Sequence, residues 1–309
     1  MKDVERRLYI DRMMPFVDNN NAKVAVGIRR GGKSTIMNLL IDRLSGDGVN
    51  IIRINMELME NRDLRDHVLL YGEIKKRLDG NKKNILFIDE IQDVKEWESA
   101  IRSLIAERCC DIYLTGSNSR LLSSEYSTYL TGRLNILSVF PLTFRECLDF
   151  ERAYRGRADE DETFDRFMQV GGFPNIWRNG YGNDSAYEEL RVTLSYIRDK
   201  DILSRYGVRN TDLLDRILSF LCDNVGKYTS LNNLYNHLRS AGVSAGKDAV
   251  YAYARYLEEA GLVNKVGVYD VRGRAILSSK CKYFLADIGL KHAVRGHRES
   301  DIPGHMENI

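Results

Sequence analysis

Short apolar runs alternate with longer segments of helical periodicity through the first half of the chain. The runs are rich in β-branched residues and lie at Ala22–Val26, Val49–Ile54, Ile85–Ile88, Asp111–Leu114 and Asn135–Val139. Between them, residues 34–44 and 97–107 carry apolar side chains at helical spacing. Several runs are continuously apolar, as is typical of parallel strands covered by helices on both faces. The pattern predicts an α/β domain with a parallel five-stranded sheet in residues 1–150.

The second half of the chain changes to mainly helical patterns. Residues 151–162 are almost wholly polar and predict a linker or an exposed helix turn. Helical signals continue to about residue 206. They are interrupted by glycines and a proline at residues 171–174, which must end one helix before the next begins. Three more helices and a hairpin are then predicted, at Leu213–Asn224, Ser230–Ser240, Lys247–Ala260, and Leu262–Val268 paired with Cys281–Leu285. That order is the plan of a winged helix, which we expect over residues 208–290.

A glycine-rich segment directly follows the first apolar run. Its sequence, Gly27-Ile28-Arg29-Arg30-Gly31-Gly32-Lys33-Ser34, fits the pattern G-x-x-x-x-G-K-[ST] between a strand and a helix. Such a loop points its backbone N–H groups inward, where they bind phosphate oxygens together with the helix N-terminus. We expect Lys33 to reach the β- and γ-phosphates, Ser34 to ligate Mg²⁺ and Thr35 to touch the α-phosphate. A chance match in a glycine-rich turn is the alternative, but the strand–loop–helix setting argues against it.

Two adjacent carboxylates, Asp89 and Glu90, end the apolar run Ile85–Ile88. An acidic residue after a buried strand is common, but together with an upstream phosphate loop it predicts a site for hydrolysis. Asp89 would hold Mg²⁺ indirectly, through the groups that ligate the ion, and Glu90 would orient and deprotonate the attacking water. Because phosphoryl transfer needs little covalent help, positioned charge supplies most of the catalysis.

Three further side chains are candidates for the same reaction. Ser117 and Asn118 follow an apolar strand and could hold the water or the γ-phosphate opposite Glu90; an ordinary turn with a helix cap is the alternative. Arg133 could stabilise charge in the transition state, either in its own chain or from a neighbouring subunit. It could equally be a surface arginine.

The third predicted helix of the winged-helix segment has a polar stripe beside its apolar face. Lys247, Tyr251 and Arg255 form this stripe at a spacing of four, and it would face a DNA major groove. Arg272 and Arg274 lie at the expected wing tip, where they could reach phosphate. Residues 208–290 contain eleven basic and eight acidic side chains, so a merely solvated surface or a protein-docking face remains open.

Composition restricts the classes of partner. The chain has 46 basic and 44 acidic residues, and a net charge of +2 gives no global electrostatic case for nucleic acid. No apolar run approaches the ~20 residues that span a bilayer, and the N-terminus does not resemble a secretory signal. The five cysteines lack metal-ligand spacing and are odd in number. We expect a reduced, cytoplasmic protein with no membrane partner.

The motifs together resemble those of a known family. They occur in the order Gly27-x-Arg29-Arg30-x-Gly32-Lys33-Ser34, Phe87-x-Asp89-Glu90-Ile91-Gln92, Trp97, Thr115-Gly116-Ser117, Gly132-Arg133, Pro141-Leu142-x-Phe144-x-Glu146 and Gly171-Gly172-Phe173-Pro174. This set is similar to that of the prokaryotic AAA-superfamily (ASCE-type) P-loop ATPases. Those proteins carry a winged helix and a restriction-endonuclease-like C-terminal domain. The resemblance covers essentially the whole chain and implies ATP and Mg²⁺ as cofactors.

The resemblance also implies details of the fold. The strand bearing Thr115 is expected between the phosphate-loop strand and the Asp89 strand. A helical lid is expected over residues 151–207, in which Pro174 contacts the nucleotide; a helix-breaking turn is the alternative. Residues 304–309 resemble the opening of the nuclease-like domain, so 291–309 would be the start of a truncated copy of it.

Two functions follow as hypotheses. The first is an ATP hydrolase that couples nucleotide state to movement of the lid and winged helix, and that could form homo-oligomers. The second is a slow nucleotide-gated switch that docks double-stranded DNA or a protein and turns over little. A small-molecule kinase with the same loop is less favoured because no acceptor site is apparent.

Overall fold

The computed structural model describes residues 3–117, 130, 132–270 and 275–296. The chain divides into two compact units, one of Met1–Gly27 with Gly32–Val139 and one of Ile28–Gly31 with Phe140–Ile309. Within the described residues, no helix is both long enough and apolar enough to cross a membrane. The predicted division into four segments stays a prediction.

A five-stranded parallel sheet forms the centre of the first unit. Its strands are β1 (Ala22–Val26), β2 (Val49–Asn55), β3 (Lys83–Asp89), β4 (Asp111–Gly116) and β5 (Leu134–Ser138). The spatial order is β2-β3-β4-β1-β5, and every neighbouring pair is parallel. β4, which bears Thr115, therefore lies between β1 and β3, as the resemblance implied. The predicted fold class is confirmed.

Helices cover both faces of this sheet, which explains the continuously apolar strands. They are α1 (Arg7–Met13), α2 (Lys33–Leu44), α3 (His67–Arg77) and α4 (Trp97–Glu107). Successive strand side chains point to opposite faces. In β3, Leu86 and Ile88 join the buried cluster with α3 and α4, whereas Ile85 and Phe87 join the cluster with α1 and α2. Two packed faces hold the strand ends in fixed positions.

The second unit begins with four helices in sequence. They are α5 (Phe144–Arg155), α6 (Glu160–Val170), α7 (Pro174–Asn179) and α8 (Asn183–Ile197), and α8 continues into a π-helical segment at Arg198–Ser204. α5 starts with a capping box between Thr143 and Glu146. The polar stretch 151–162 therefore contains the end of α5 and the start of α6, which corresponds to the exposed helix turn rather than to a long linker.

Two consecutive glycines separate α6 from α7. A Cβ on Gly172 would lie 2.1 Å from the carbonyl oxygen of Leu142, so a larger residue does not fit there. The Gly172 N–H donates to the carboxylate of Asp287 at 2.6 Å, and Gly289 donates to the same carboxylate at 2.8 Å. Burial raises the pKa of Asp287 to about 7, while these two donors act in the opposite direction. The break after α6 is thus fixed by close packing and by a buried carboxyl group.

A winged-helix arrangement follows in the second unit. Its elements are α9 (Thr211–Asp223), β6 (Tyr228–Thr229), α10 (Leu231–Ser240), α11 (Lys247–Glu259), β7 (Val263–Asp270) and β8 (Ala275–Leu285). The sheet has the order β6-β8-β7 and is antiparallel. β6 was not predicted, because a strand of two residues shows no periodicity. The apolar face of α11, formed by Val250, Ala254 and Leu257, is buried as predicted.

The last described helix, α12 (Ile288–Arg295), packs against α6 and α8. Residue 291, where the nuclease-like segment is expected to begin, falls inside this helix. Residues 304–309, which resemble the opening of that domain, lie outside the described residues. The boundary stays a prediction.

Candidate functional site

The glycine-rich loop joins the end of β1 to the start of α2. Gly27 has φ of +152°, and a Cβ there would lie 2.0 Å from the Val139 carbonyl oxygen. Gly32 precedes α2 with φ of +95°, a conformation that side chains with a Cβ rarely adopt. These positions need glycine for two separate reasons, a close backbone approach and a left-handed turn. The local geometry therefore matches that of a loop that brings its backbone close to phosphate.

Lys33 and Ser34 follow the loop and meet the ends of the neighbouring strands. The Lys33 ammonium, on a residue that is 3% exposed, donates to the Gly27 carbonyl oxygen at 3.1 Å and to the Ser117 hydroxyl at 3.0 Å. The Ser34 hydroxyl donates to Asp89 Oδ1 at 2.7 Å. Thus β1, β3 and β4 bring together side chains that are far apart in sequence.

Glu90 is held at the end of β3 in a strained backbone conformation. Its φ is +57°, which costs a residue with a Cβ about 1–2 kcal/mol. The Ser117 hydroxyl donates to Glu90 Oε1 at 2.6 Å, and the Gln92 amide donates to Oε2. The Glu90 backbone N–H donates to the Thr115 hydroxyl at 3.0 Å. A buried carboxylate with a fixed orientation is suited to positioning a water molecule as a general base.

A magnesium ion fits the oxygen donors of this site. The hydroxyl of Ser34 and the carboxylate of Asp89 lie in hydrogen-bond contact, and Thr115 also donates to Asp89 Oδ1. Mg²⁺ in nucleotide sites is held by one or two protein oxygens, with phosphate oxygens and water as its remaining ligands. Ser34 and Asp89 can supply those protein oxygens.

Two residues of this site were given no role from the sequence. Thr115 binds both Asp89 and the Glu90 backbone, and Gln92 binds the Glu90 carboxylate. A polar residue near the end of an otherwise apolar strand was the available signal for Thr115. Gln92 is part of the motif that follows Phe87, but no role was predicted for it.

Arg133 lies at the amino ends of the parallel strands, whereas the phosphate loop lies at their carboxyl ends. It directly precedes β5, whose Leu134 pairs with Ala22 at the start of β1, whereas the loop follows Val26 at the end of β1. A five-residue strand spans about 13 Å, which is more than an arginine side chain reaches. This placement disfavours action of Arg133 on the site of its own chain and leaves the neighbouring-subunit alternative as a prediction.

The remaining predicted nucleotide contacts are placed as follows. Thr35 is half-buried in the first turn of α2. Pro174 opens α7 as its first residue, and the next residue, Asn175, donates to Glu189 at 3.0 Å. Asn118 lies outside the described residues. The roles of Thr35 and Pro174 stay predictions.

The predicted nucleic-acid face is only partly described. Lys247 and Arg255 are exposed on α11, and Tyr251 is half-buried with the Lys247 ammonium 5.5 Å from its ring centre. Arg272 and Arg274 lie outside the described residues. α11 therefore presents two cations outward.

Comparison with known proteins identifies the nucleotide-binding part. A family model described as an AAA domain matches residues 19–148, which include the phosphate loop, both carboxylates and Ser117. The chain belongs to the AAA superfamily of P-loop ATPases. A second model, described as a domain of unknown function (DUF8612), matches residues 161–301 of this AAA-superfamily protein.

Relatives match most of the AAA-superfamily chain. An uncharacterised protein of Haemophilus influenzae is 32% identical over 315 residues, covering 99% of this chain and 77% of the relative. An uncharacterised protein of Methanocaldococcus jannaschii is 29% identical over 271 residues, covering 84% of this chain and 60% of the relative. The chain thus spans 60% to 77% of the length of these two relatives.

Solved structures similar to this AAA-superfamily protein have low sequence identity. The Aeropyrum pernix ORC1 protein in complex with DNA is 15% identical, with 94% of this chain and 90% of that chain covered and a TM-score of 0.36. Replication initiator DnaA bound to AMPPCP and single-stranded DNA is 14% identical, with 84% and 89% covered and a TM-score of 0.42. A signal transduction ATPase from Pyrococcus horikoshii is 13% identical, with 99% and 44% covered and a TM-score of 0.40. At TM-scores this low, the similarities support no statement about what this chain binds.

Proposed function

We propose that this protein binds ATP with Mg²⁺ and hydrolyses the bond between the β- and γ-phosphates. The observation that carries the proposal is the hydrogen-bonded group formed by Lys33, Ser34, Asp89, Glu90 and Ser117 at the carboxyl ends of three parallel strands. The strained backbone at Glu90 adds support, because such strain is concentrated at functional sites.

Each side chain has a defined part in the proposed reaction. Lys33 and the loop N–H groups bind the β- and γ-phosphate oxygens, while Ser34 and Asp89 would hold Mg²⁺, which neutralises phosphate charge when bound. Glu90 orients a water molecule and accepts its proton as the water oxygen attacks the γ-phosphorus. The bond to the bridging oxygen breaks, and ADP leaves with the electron pair. Ser117 keeps the Glu90 carboxylate in position.

Coupling of nucleotide state to the lid and winged helix is part of the proposal. It is supported by the assignment of loop residues Ile28–Gly31 to the same compact unit as the helices of residues 144–204. Hydrolysis could serve repeated work or a slow reset of a switch. We also propose a cytoplasmic location, which the five free cysteines support.

Calorimetry with purified protein is the direct test of nucleotide binding. We expect ATP to bind with measurable heat in the presence of Mg²⁺, and phosphate to be released to water. Chelation of Mg²⁺ with EDTA should weaken binding and stop phosphate release, because the phosphate charge is then less well neutralised. No heat of binding in the presence of Mg²⁺ at low salt would exclude the assignment.

Binding of double-stranded DNA is a second candidate function, favoured by the exposed cations Lys247 and Arg255 on α11. We expect affinity for a DNA duplex to fall steeply between low and moderate salt, because phosphate contacts release counterions. The double variant Lys247→Glu with Arg255→Glu should weaken binding further. Arg216→Glu on α9 is the matched control and should have a smaller effect. Absence of binding at low salt would favour a protein partner instead.

A further inference from the structure

The phosphate loop contains two arginines whose side chains pair with carboxylates of α8 and its π-helical extension. Arg29 makes a two-pronged contact with Asp201, with Nε to Oδ2 at 3.0 Å and a second nitrogen to Oδ1 at 3.1 Å. Arg30 donates to Glu189 Oε1 at 2.8 Å and to the Thr193 hydroxyl at 3.3 Å. All five residues belong to the second compact unit. The centre of the phosphate loop is therefore tied to one continuous helical segment.

The loop needs such ties because its backbone is strained at Arg30. The Gly31 N–H donates to the Ile28 carbonyl oxygen at 3.1 Å, which closes a four-residue turn, and Arg30 stands third in that turn with φ of +63°. Turns with positive φ at this position favour glycine or asparagine. An arginine adopts this conformation only when its surroundings hold it. Glu189 and Thr193 are the side chains that contact it.

Asp201 lies in an unusual element. Its side chain is 1% exposed and lies within the π-helical segment Arg198–Ser204. π-Helices are rare in proteins, and those that occur are often at functional sites. The Arg29 guanidinium is also 5.2 Å from the ring centre of Tyr196. Arg205, the residue directly after that segment, has a guanidinium nitrogen 3.7 Å from Asp201 Oδ1. The pair is thus built into the helix rather than formed at its surface.

We propose that Glu189 and Asp201 are positioning residues for nucleotide binding. By holding Arg30 and Arg29, they keep the loop in its left-handed turn, so that its N–H groups stay directed at the polyphosphate. The two carboxylates lie 159 and 172 residues beyond their partners, and they would act on the nucleotide only through those arginines. The inference rests on the proposed function, since it concerns how the same loop binds ATP.

Glu189→Gln is the variant that tests this inference with little risk to folding. The Arg30 and Glu189 side chains are 40% and 20% exposed, whereas loss of Asp201 would leave Arg29 unpaired in a mostly buried place. A loop that relaxes from its binding-competent form loses affinity in proportion to the lost population. We expect the calorimetric Kd for ATP with Mg²⁺ to rise about fivefold to tenfold, with an unchanged melting temperature.

Glu188→Gln is the matched control. Glu188 is the neighbouring, 65% exposed carboxylate, and its partner is Arg191. We expect its affinity for ATP to equal that of the parent. If the parent bound ATP and Glu189→Gln bound as tightly as Glu188→Gln, this inference alone would fail. If the parent bound no ATP, the proposed function would fail first.

Testing Glu189→Gln in a second parent protein, the Arg30→Gly variant, separates positioning of the loop from a general structural role. Glycine adopts the turn at position 30 without strain, so Arg30→Gly removes the need for Glu189. We expect Glu189→Gln to change the Kd less than about twofold in that background. An equal effect of Glu189→Gln in the parent and in Arg30→Gly would overturn the inference, because Glu189 would then act elsewhere.

Discussion

Replacement of Lys33 by alanine is expected to abolish measurable ATP binding. The lysine is buried between the Gly27 carbonyl oxygen and the Ser117 hydroxyl, and its ammonium is the cation that follows the phosphate loop directly. A charge-assisted hydrogen bond to phosphate contributes about 1.5–3 kcal/mol, and in the proposed function this ammonium binds oxygens of two phosphates. We expect at least a 100-fold rise in Kd, on the order of 3 kcal/mol, measured by calorimetry with ATP and Mg²⁺.

Lys76→Ala is the control for that experiment. Lys76 lies in α3 of the same unit, its side chain is 79% exposed, and it pairs only at 3.9 Å with Glu73. Its loss should leave ATP affinity unchanged. A thermal unfolding curve of Lys33→Ala should show a folded protein, since the Ser117 hydroxyl still donates to Glu90. Unchanged affinity in a folded Lys33→Ala variant would remove the loop from its assigned role.

Glu90→Gln is expected to separate binding from hydrolysis. Glutamine keeps the shape of the side chain and can still accept the hydrogen bond from Ser117, but it cannot take a proton from water. A general base contributes about 10²–10⁴-fold to a rate. We therefore expect the steady-state rate of phosphate release to fall by about 100-fold or more, while the Kd for ATP with Mg²⁺ changes by less than about threefold.

Glu96→Gln provides the comparison for Glu90→Gln. Glu96 is an exposed glutamate just before α4 that also has a positive φ, of +51°. Its substitution should leave turnover unchanged. If the parent turns over slowly, as a switch would, single-turnover measurement replaces the steady-state rate. Equal rates for the parent and for Glu90→Gln in that measurement would mean that another group activates the water.

Residue patterns in the sequence were enough to predict a nucleotide site and most of the helices and strands. The phosphate loop, Asp89 and Glu90 were found because each depends on a short stretch of chain whose residue types have a chemical reason. The same holds for the strands of the first unit, since burial on both faces requires continuous apolar runs. The apolar face of α11 was likewise fixed by periodicity.

The order of the strands in the sheet could not be predicted from periodicity. Apolar runs do not state which strand lies beside which, and the position of β4 between β1 and β3 was expected only through the family resemblance. Arg133 shows the same limit. Its neighbours in sequence suggested a catalytic arginine, whereas strand pairing places it at the amino end of β5.

The support of the phosphate loop became apparent only from contacts in the folded chain. Any arginine can pair with any carboxylate, so the sequence gives no sign that Arg29 meets Asp201 or that Arg30 meets Glu189. The positive φ of Arg30 is equally hidden, because a left-handed arginine violates the local preference and persists only through distant contacts. The residues that form the phosphate loop are consecutive and can therefore be recognised in the sequence. The contacts that position this loop join segments that only folding brings together.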